Sequence, residues 1–186
     1  VGADYDQLHM RIIAVRAPIP AWLETFYRAD RGDTGPESDI HTVNAALFYN
    51  KAPADVQKFE RSCVKTLSYA SVYGAGPKTI LAQMARVRDP NTGVRPYARM
   101  SFVEAKALRN KFLRTYPELP RWWEREVAEW RSGGEIRSMI YGRLLRLKDL
   151  GGSVYASEGE DEGLSDIVNA PVLCTEGDIA GGNGAS

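Results

Sequence analysis

Arg61, Lys65, Tyr69 and Tyr73 recur every four residues and stop at Gly74. On an α-helix that spacing keeps all four on one face, drifting about 40° per step and reaching roughly 18 Å from first to last. The opposite face carries Val56, Phe59, Cys63, Leu67 and Ala70 at i, i+3, i+7, i+11 and i+14, the period of a core-facing stripe. Pro53 followed by Ala54 and Asp55 predicts the helix start, and Gly74, Gly76 and Pro77 predict its end.

The polar face of this helix divides its chemistry, with cations at one end and phenol rings at the other. A nucleoside triphosphate has the same division, a polyanionic tail that takes Arg and Lys and a flat base that takes a ring. A solvated basic face with two half-buried tyrosines is the other reading of the same spacing. Basic residues near a helix N-terminus oppose the macrodipole, a small cost that an anionic ligand reverses.

The run from Arg61 to Gly74 resembles the fingers-helix motif of family A (DNA polymerase I-like) DNA polymerases, R-x3-K-x3-[FY]-x3-Y-G. Ala3 to Arg11, reading Ala-Asp-Tyr-Asp-Gln-Leu-His-Met-Arg, resembles the palm motif of that family that carries the first catalytic aspartate. Asp39-Ile40-His41-Thr42 matches the short segment ahead of the fingers helix. Tyr116-Pro117, Tyr141-Gly142-Arg143 and Asn169-Ala170-Pro171-Val172, with Thr175 and Asp178-Ile179, follow in the family's order. Together these matches cover nearly the whole chain. A single-subunit RNA polymerase relative is an alternative, because such enzymes share the hand-like arrangement; Gln7 and Arg11 favour the DNA enzymes.

At 186 residues the chain fits about one domain, and 44% hydrophobic content furnishes a core. There is no apolar run long enough to span a bilayer and no signal peptide at the start, so a soluble cytoplasmic protein is expected, and the family resemblance implies a bacterial or phage-infected cell. Cys63 and Cys174 form neither a disulfide framework nor a metal-ligand spacing and are expected as buried reduced thiols. The net charge of zero conceals a segregation: residues 1–50 carry 4 basic and 7 acidic side chains, residues 51–150 carry 20 and 10, and residues 151–186 carry none and 7. A basic middle suits phosphate backbones, and acidic ends suit a metal-bearing palm.

The periodicity predicts a strand turning into a helix near Gln7, since Leu8, Ile12 and Ile13 recur at helical spacing. Further helices are expected at Trp22 to Ala29, His41 to Tyr49 and Lys78 to Ala85, with loops at Pro18 to Pro20 and Arg31 to Ser38 and a turn at Asp89 to Gly93. Ser101 to Arg131 reads as a long helical region opened by a Ser101/Glu104 capping box and interrupted at Pro117 and Pro120. Its residues Trp122, Trp123 and Trp130 are assigned to core packing. Ile136 to Leu147 reads as a hairpin and Gly151 to Gly163 as an acidic loop. The expected fold is α+β and helix-rich: a palm strand and helix within 1–50, fingers helices within 51–135, and a hairpin with part of the palm within 136–186.

The resemblance implies template-directed DNA synthesis by two divalent cations, Mg2+ in general, acting on the primer 3′-hydroxyl and the triphosphate. Asp4 matches the first catalytic aspartate, with the Tyr5 carbonyl as a neighbouring metal ligand; Asp6 stands where Ser is common and is not counted. His41, Arg61 and Lys65 match phosphate contacts, Lys65 also a general acid toward pyrophosphate. Tyr69 matches the sugar and base contact and Tyr73 the templating position. Gln7 and His9 complete the nucleotide set, and Arg143 and Asn169 match positions that touch DNA. A Tyr at position 69 implies tolerance of dideoxynucleotides, since its hydroxyl can replace a missing 3′-hydroxyl.

Several residues depart from the family pattern. His9 stands where Glu usually excludes ribonucleotides, so it is read either as a sugar gate or as a packing residue. Leu173 replaces the usual Gln beside the minor groove, and Ser165 replaces an Arg that touches DNA, so fewer minor-groove contacts are expected. The later His-Asp-Glu motif, with the second metal-bridging carboxylate, does not occur in these 186 residues. The ending Gly181 to Ser186 reads as a linker. One carboxylate cannot readily hold two cations about 3.5–4 Å apart. The expectation is a nucleotide-binding fragment or split half, inactive alone and completed by a second polypeptide. A noncatalytic nucleotide- or nucleic-acid-binding fragment is the alternative.

Overall fold

The computed structural model describes residues 7–89, 91–132, 136–137, 144–145 and 164–181. Asp4, Tyr5, Arg143, the acidic loop 151–163 and the terminal 182–186 lie outside the described residues. The chain forms two compact units, Ile19–Leu119 and, together, Val1–Pro18 with Pro120–Ser186.

In the first unit, α2 (Pro20–Asp30), α3 (Ile40–Tyr49), α4 (Lys58–Val72), α5 (Pro77–Met84) and α6 (Phe102–Thr115) follow in order. Helix α3 packs on α4, α4 on α5, and α6 on both α4 and α5. Two helix starts are written in the sequence. Asp39 caps α3 by accepting from the Thr42 N–H at 3.1 Å, and Ser101 caps α6 by accepting from the Glu104 N–H at 3.2 Å. Trp22, Ile40, Leu67, Ile80, Met84 and Phe112 are buried, and Trp22 meets Tyr116 edge-on with ring centroids 5.2 Å apart.

Helix α4 begins at Lys58 rather than at Ala54 or Asp55. The Glu60 carboxylate accepts the Gln57 N–H at 3.0 Å and sets the start there, whereas Pro53–Asp55 close a separate 3-10 turn. Val56 therefore lies ahead of the helix, and the buried stripe runs through Cys63, Leu67 and Ala70, joined by Val64, Ser68 and Ser71. Phe59 is half-buried and stacks on Tyr97, with centroids 6.3 Å apart and 17° between planes. Helix α4 ends at Val72, and Gly74, at φ 72°, turns the chain away in the left-handed region that glycine adopts without strain.

The second unit contains α1 (Leu8–Arg16), α7 (Glu118–Arg131) apart from its first two residues, the strands β1 (Ile136–Arg137) and β2 (Leu144–Leu145), and α8 (Leu164–Gly181). Helix α1 packs on α8, which also touches both strands. The strands pair antiparallel, Ile136 opposite Leu145 and Arg137 opposite Leu144. The pair falls where the sequence reads as a hairpin, with two residues a side among the described residues. The architecture among the described residues is helix-rich.

Only one of the two expected helix interruptions occurs. Pro117 ends α6 by excluding helical geometry at Tyr116, whose φ, ψ are −127° and 73°. Pro120 falls in the first turn of α7, where the missing N–H leaves no carbonyl unpaired. Trp122 and Trp123 are buried and Trp130 half-buried, as packing residues should be. Cys63 is buried and unbridged, and burial pushes its thiol up to about 11; Cys174 is unbridged but only half-buried.

Candidate nucleotide-binding face

Within Ile19–Leu119, Asp39 gathers three of the residues read from the sequence. Its carboxylate caps α3 and receives two bonds from Arg61 of α4, Nε to Oδ2 at 2.6 Å and Nη2 to Oδ1 at 3.0 Å. The pair is half-exposed, with 39% of the Arg61 side chain and 25% of Asp39 open. Burial opposes the charge on Asp39, yet the Arg61 and Thr42 hydrogen bonds and the Arg61 charge outweigh it and lower its carboxyl to about 2.

His41, in the first turn of α3, is 2% exposed, and its Nδ1 meets no hydrogen-bond partner among the described residues. Burial, reinforced by the Lys65 and Arg61 charges and partly offset by Asp39, lowers its imidazole to about 4. At neutral pH it is an uncharged ring. That ring lies 5.6 Å from the Tyr69 ring, tilted by 48°. Lys65 is exposed, Arg61, Tyr69 and Tyr73 are half-exposed, and Tyr73 is the residue that closes α4 before Gly74. The four-residue repeat thus does form one open face, next to a neutral histidine and a carboxylate already paired.

Behind this face is a buried polar relay. Tyr116 donates its hydroxyl to Asn44 Oδ1 at 2.6 Å, and Asn44 Nδ2 donates to Ser68 Oγ at 3.4 Å, tying α3 and α4 to the end of α6. The residues that set the face, Asn44 and Ser68, carry no motif of their own. Their signal is a polar side chain one turn from an apolar stripe, which sequence alone reads as surface.

In the unit formed by Val1–Pro18 and Pro120–Ser186, Gln7 precedes α1 in the left-handed region at φ 58°. His9 Nε2 and Glu176 Oε2 of α8 are 2.6 Å apart, so His9 is engaged by a carboxylate rather than buried by packing. Asn169 is half-buried on α8, its Oδ1 enclosed and without a hydrogen-bond partner among the described residues. Asp178 is 2% exposed on the same helix. Leu173, in the place of the expected Gln, is exposed. Among the described residues no three His, Cys, Asp or Glu side chains gather as a metal cluster.

The family model for DNA polymerase family A matches residues 1–181. The chain belongs to DNA polymerase family A. It is 25% identical over 179 residues to DNA polymerase I of Aquifex aeolicus, covering 96% of this chain and 26% of that protein. With the thermostable DNA polymerase I of Thermus filiformis it shares 24% identity, covering 96% of this chain and 18% of that one. Among solved structures it resembles the POL domain of Pol1 from M. smegmatis in complex with DNA primer-template and dNTP. That match has a TM-score of 0.69 at 22% identity and covers 95% of this chain and 27% of the other. The chain thus spans about a quarter or less of the length of these curated relatives. No helix among its described residues is long and apolar enough to cross a membrane.

Proposed function

We propose that this family A chain binds the incoming nucleotide and part of the catalytic metal site of a template-directed DNA polymerase. The observation that carries the proposal is the α4 face: exposed Lys65 and half-exposed Arg61 followed by Tyr69 and Tyr73, beside a neutral His41 with an enclosed ring nitrogen. Two cations at one end attract a triphosphate, and the phenol rings at the other offer a surface to the base and sugar. A neutral imidazole donates its ring N–H to a phosphate oxygen without adding charge repulsion to Lys65 and Arg61.

Lys65 is the proposed general acid toward pyrophosphate. Asp4 with the Tyr5 carbonyl supplies hard oxygen donors, a set suited to Mg2+. Asp4 and the Tyr5 carbonyl would hold such a cation, which would supply charge neutralisation for the triphosphate and the primer oxygen. Gln7 and His9, the latter held by Glu176, are proposed toward the nucleotide sugar, and Arg143 and Asn169 toward primer-template DNA. An α+β fingers-and-palm organisation, with palm residues in 1–50 and 136–186 and fingers in 51–135, and a cytoplasmic setting belong to the same reading.

The test is titration of the 186-residue chain with a fluorescent dNTP. Lys65→Ala is expected to weaken binding at least tenfold, about 1.4 kcal/mol. Equal binding by both proteins removes the nucleotide site. Primer extension by the chain alone is expected to be undetectable, because the sequence holds one candidate metal carboxylate from the family motifs where two-metal transfer takes more.

A further inference from the structure

The Asp39 carboxylate is held from two sides. From α3 it accepts the Thr42 N–H at 3.1 Å and the Thr42 hydroxyl at 2.5 Å on Oδ2, and the His41 N–H at 3.4 Å on Oδ1. From α4 it accepts Arg61 Nε at 2.6 Å and Nη2 at 3.0 Å. The two sets are not equally committed. The α3 donors belong to the turn that Asp39 caps, whereas Arg61 arrives from 22 residues away with 39% of its side chain in solvent. If Arg61 turns away, Asp39 keeps three donors and α3 keeps its cap, so the carboxylate is not left unpaired. Arg61 also stands farthest from the rings of the α4 face, one turn before Lys65 and two before Tyr69, about 6 and 12 Å along the axis. A nucleotide with its base on the rings brings its first phosphate toward Lys65, and only a longer phosphate tail reaches Arg61.

We infer that Asp39 is a specificity-determining residue of this face: its carboxylate pairs with Arg61 until the terminal phosphate of a nucleoside triphosphate displaces it, so that a monophosphate gains nothing from Arg61. The inference rests on the nucleotide reading of α4. The exchange passes one guanidinium fork from a carboxylate to a phosphate, which offers it more charge and more acceptor oxygens. Both partners are half-open, so neither is stranded as a buried charge during the exchange. The cost of parting Asp39 from Arg61 falls only on ligands long enough to use Arg61.

Asp39→Asn tests the inference, because Asn keeps an oxygen for the α3 cap and removes the charge that competes for Arg61. The full chain is titrated with a fluorescent dNTP and with the matching dNMP. The triphosphate is expected to bind about three- to fivefold more tightly to Asp39→Asn, and the monophosphate to change less than about twofold. A purely structural role for Asp39 moves both ligands together, toward weaker binding. Arg61→Gln is expected to weaken the triphosphate, and Asp39→Asn added to it to change nothing further, since the pair is already gone. Far-UV circular dichroism checks folding, and Asp39→Ser, another uncharged cap, repeats the comparison if the Asn variant does not fold. Lys65→Ala separates the two readings. If it weakens dNTP binding while Asp39→Asn leaves the triphosphate unchanged or weaker, this inference falls and the nucleotide reading stands; if Lys65→Ala binds as wild type does, both fall. Equal tightening of monophosphate and triphosphate, or the same gain on the Arg61→Gln background, also overturns the inference.

Discussion

Two arginine–carboxylate pairs, one in each compact unit, are similarly close but have different surroundings. Arg16 of α1 places Nη2 2.6 and 2.7 Å from the two oxygens of Glu126, which is 5% exposed and also receives the Trp122 indole N–H at 2.7 Å. Arg61 binds Asp39 just as closely, but with 39% of its side chain in solvent and its partner also capping α3. In the first pair Glu126 is 5% and Arg16 16% exposed, and the carboxylate is also held by the Trp122 indole, so the pair cross-braces α1 and α7. In the second the guanidinium stays open on the face that carries Lys65. Geometry alone therefore does not distinguish a structural pair from a ligand-binding one; exposure and the carboxylate's other obligations do.

The strongest way to break that comparison is Glu126→Ala. It strands the Arg16 charge and the Trp122 donor in the interior and is expected to cost about 3–5 kcal/mol in a urea melt. A loss below 1 kcal/mol would make the two pairs equivalent. Asn44→Ala asks whether the open face has its own buried support. Leaving the Tyr116 hydroxyl without its acceptor is expected to cost about 1–3 kcal/mol and to weaken fluorescent dNTP binding, whereas an unchanged melt removes the relay from the account.

Acid sharpens the contrast further, because the α4 face contains a histidine held neutral. The folded imidazole titrates near 4 and the unfolded one near 6.5, so the unfolded chain binds more protons between those values. Stability attached to His41 is intact above pH 6.5 and is lost as pH falls toward 4, on the order of 1 kcal/mol between pH 7 and 5.5. Asp39, lowered to about 2 from 3.8, acts in the same direction but only below about pH 4. His41→Asn should flatten the midpoint between pH 7 and 5.5 relative to wild type, and an identical slope in both would refute the assignment. The smallest effect is expected from Asp39→Asn, under about 1 kcal/mol. Asn caps a helix nearly as well as Asp and the lost pair is half in water. A loss as large as that of Glu126→Ala would erase the distinction between the pairs.

Much of this was legible in the residues. The α4 face, the Ser101/Glu104 cap, the break at Pro117, the hairpin position and the family itself all rest on local spacing, and local spacing is written in the chain. Helix α8 was not read as a helix. Pro171 and Gly177 interrupt its pattern, and packing against α1 offsets the backbone bond that Pro171 cannot donate. Pro53 signals a start for α4 ahead of the real one, because the Glu60 carboxylate that fixes the start at Lys58 acts from inside the helix.

By itself the sequence determined which side chains share a face, where the helices may begin and end, and membership of family A, since each follows from residue types at fixed separations. Only the tertiary structure decided that Asp39 binds Arg61, that Asn44 joins Tyr116 to Ser68, that Glu176 engages His9, and that an uncharged His41 lies beside Lys65. Those pairings join residues from 22 to 167 positions apart. The desolvation that sets their charge states exists only once the helices have packed.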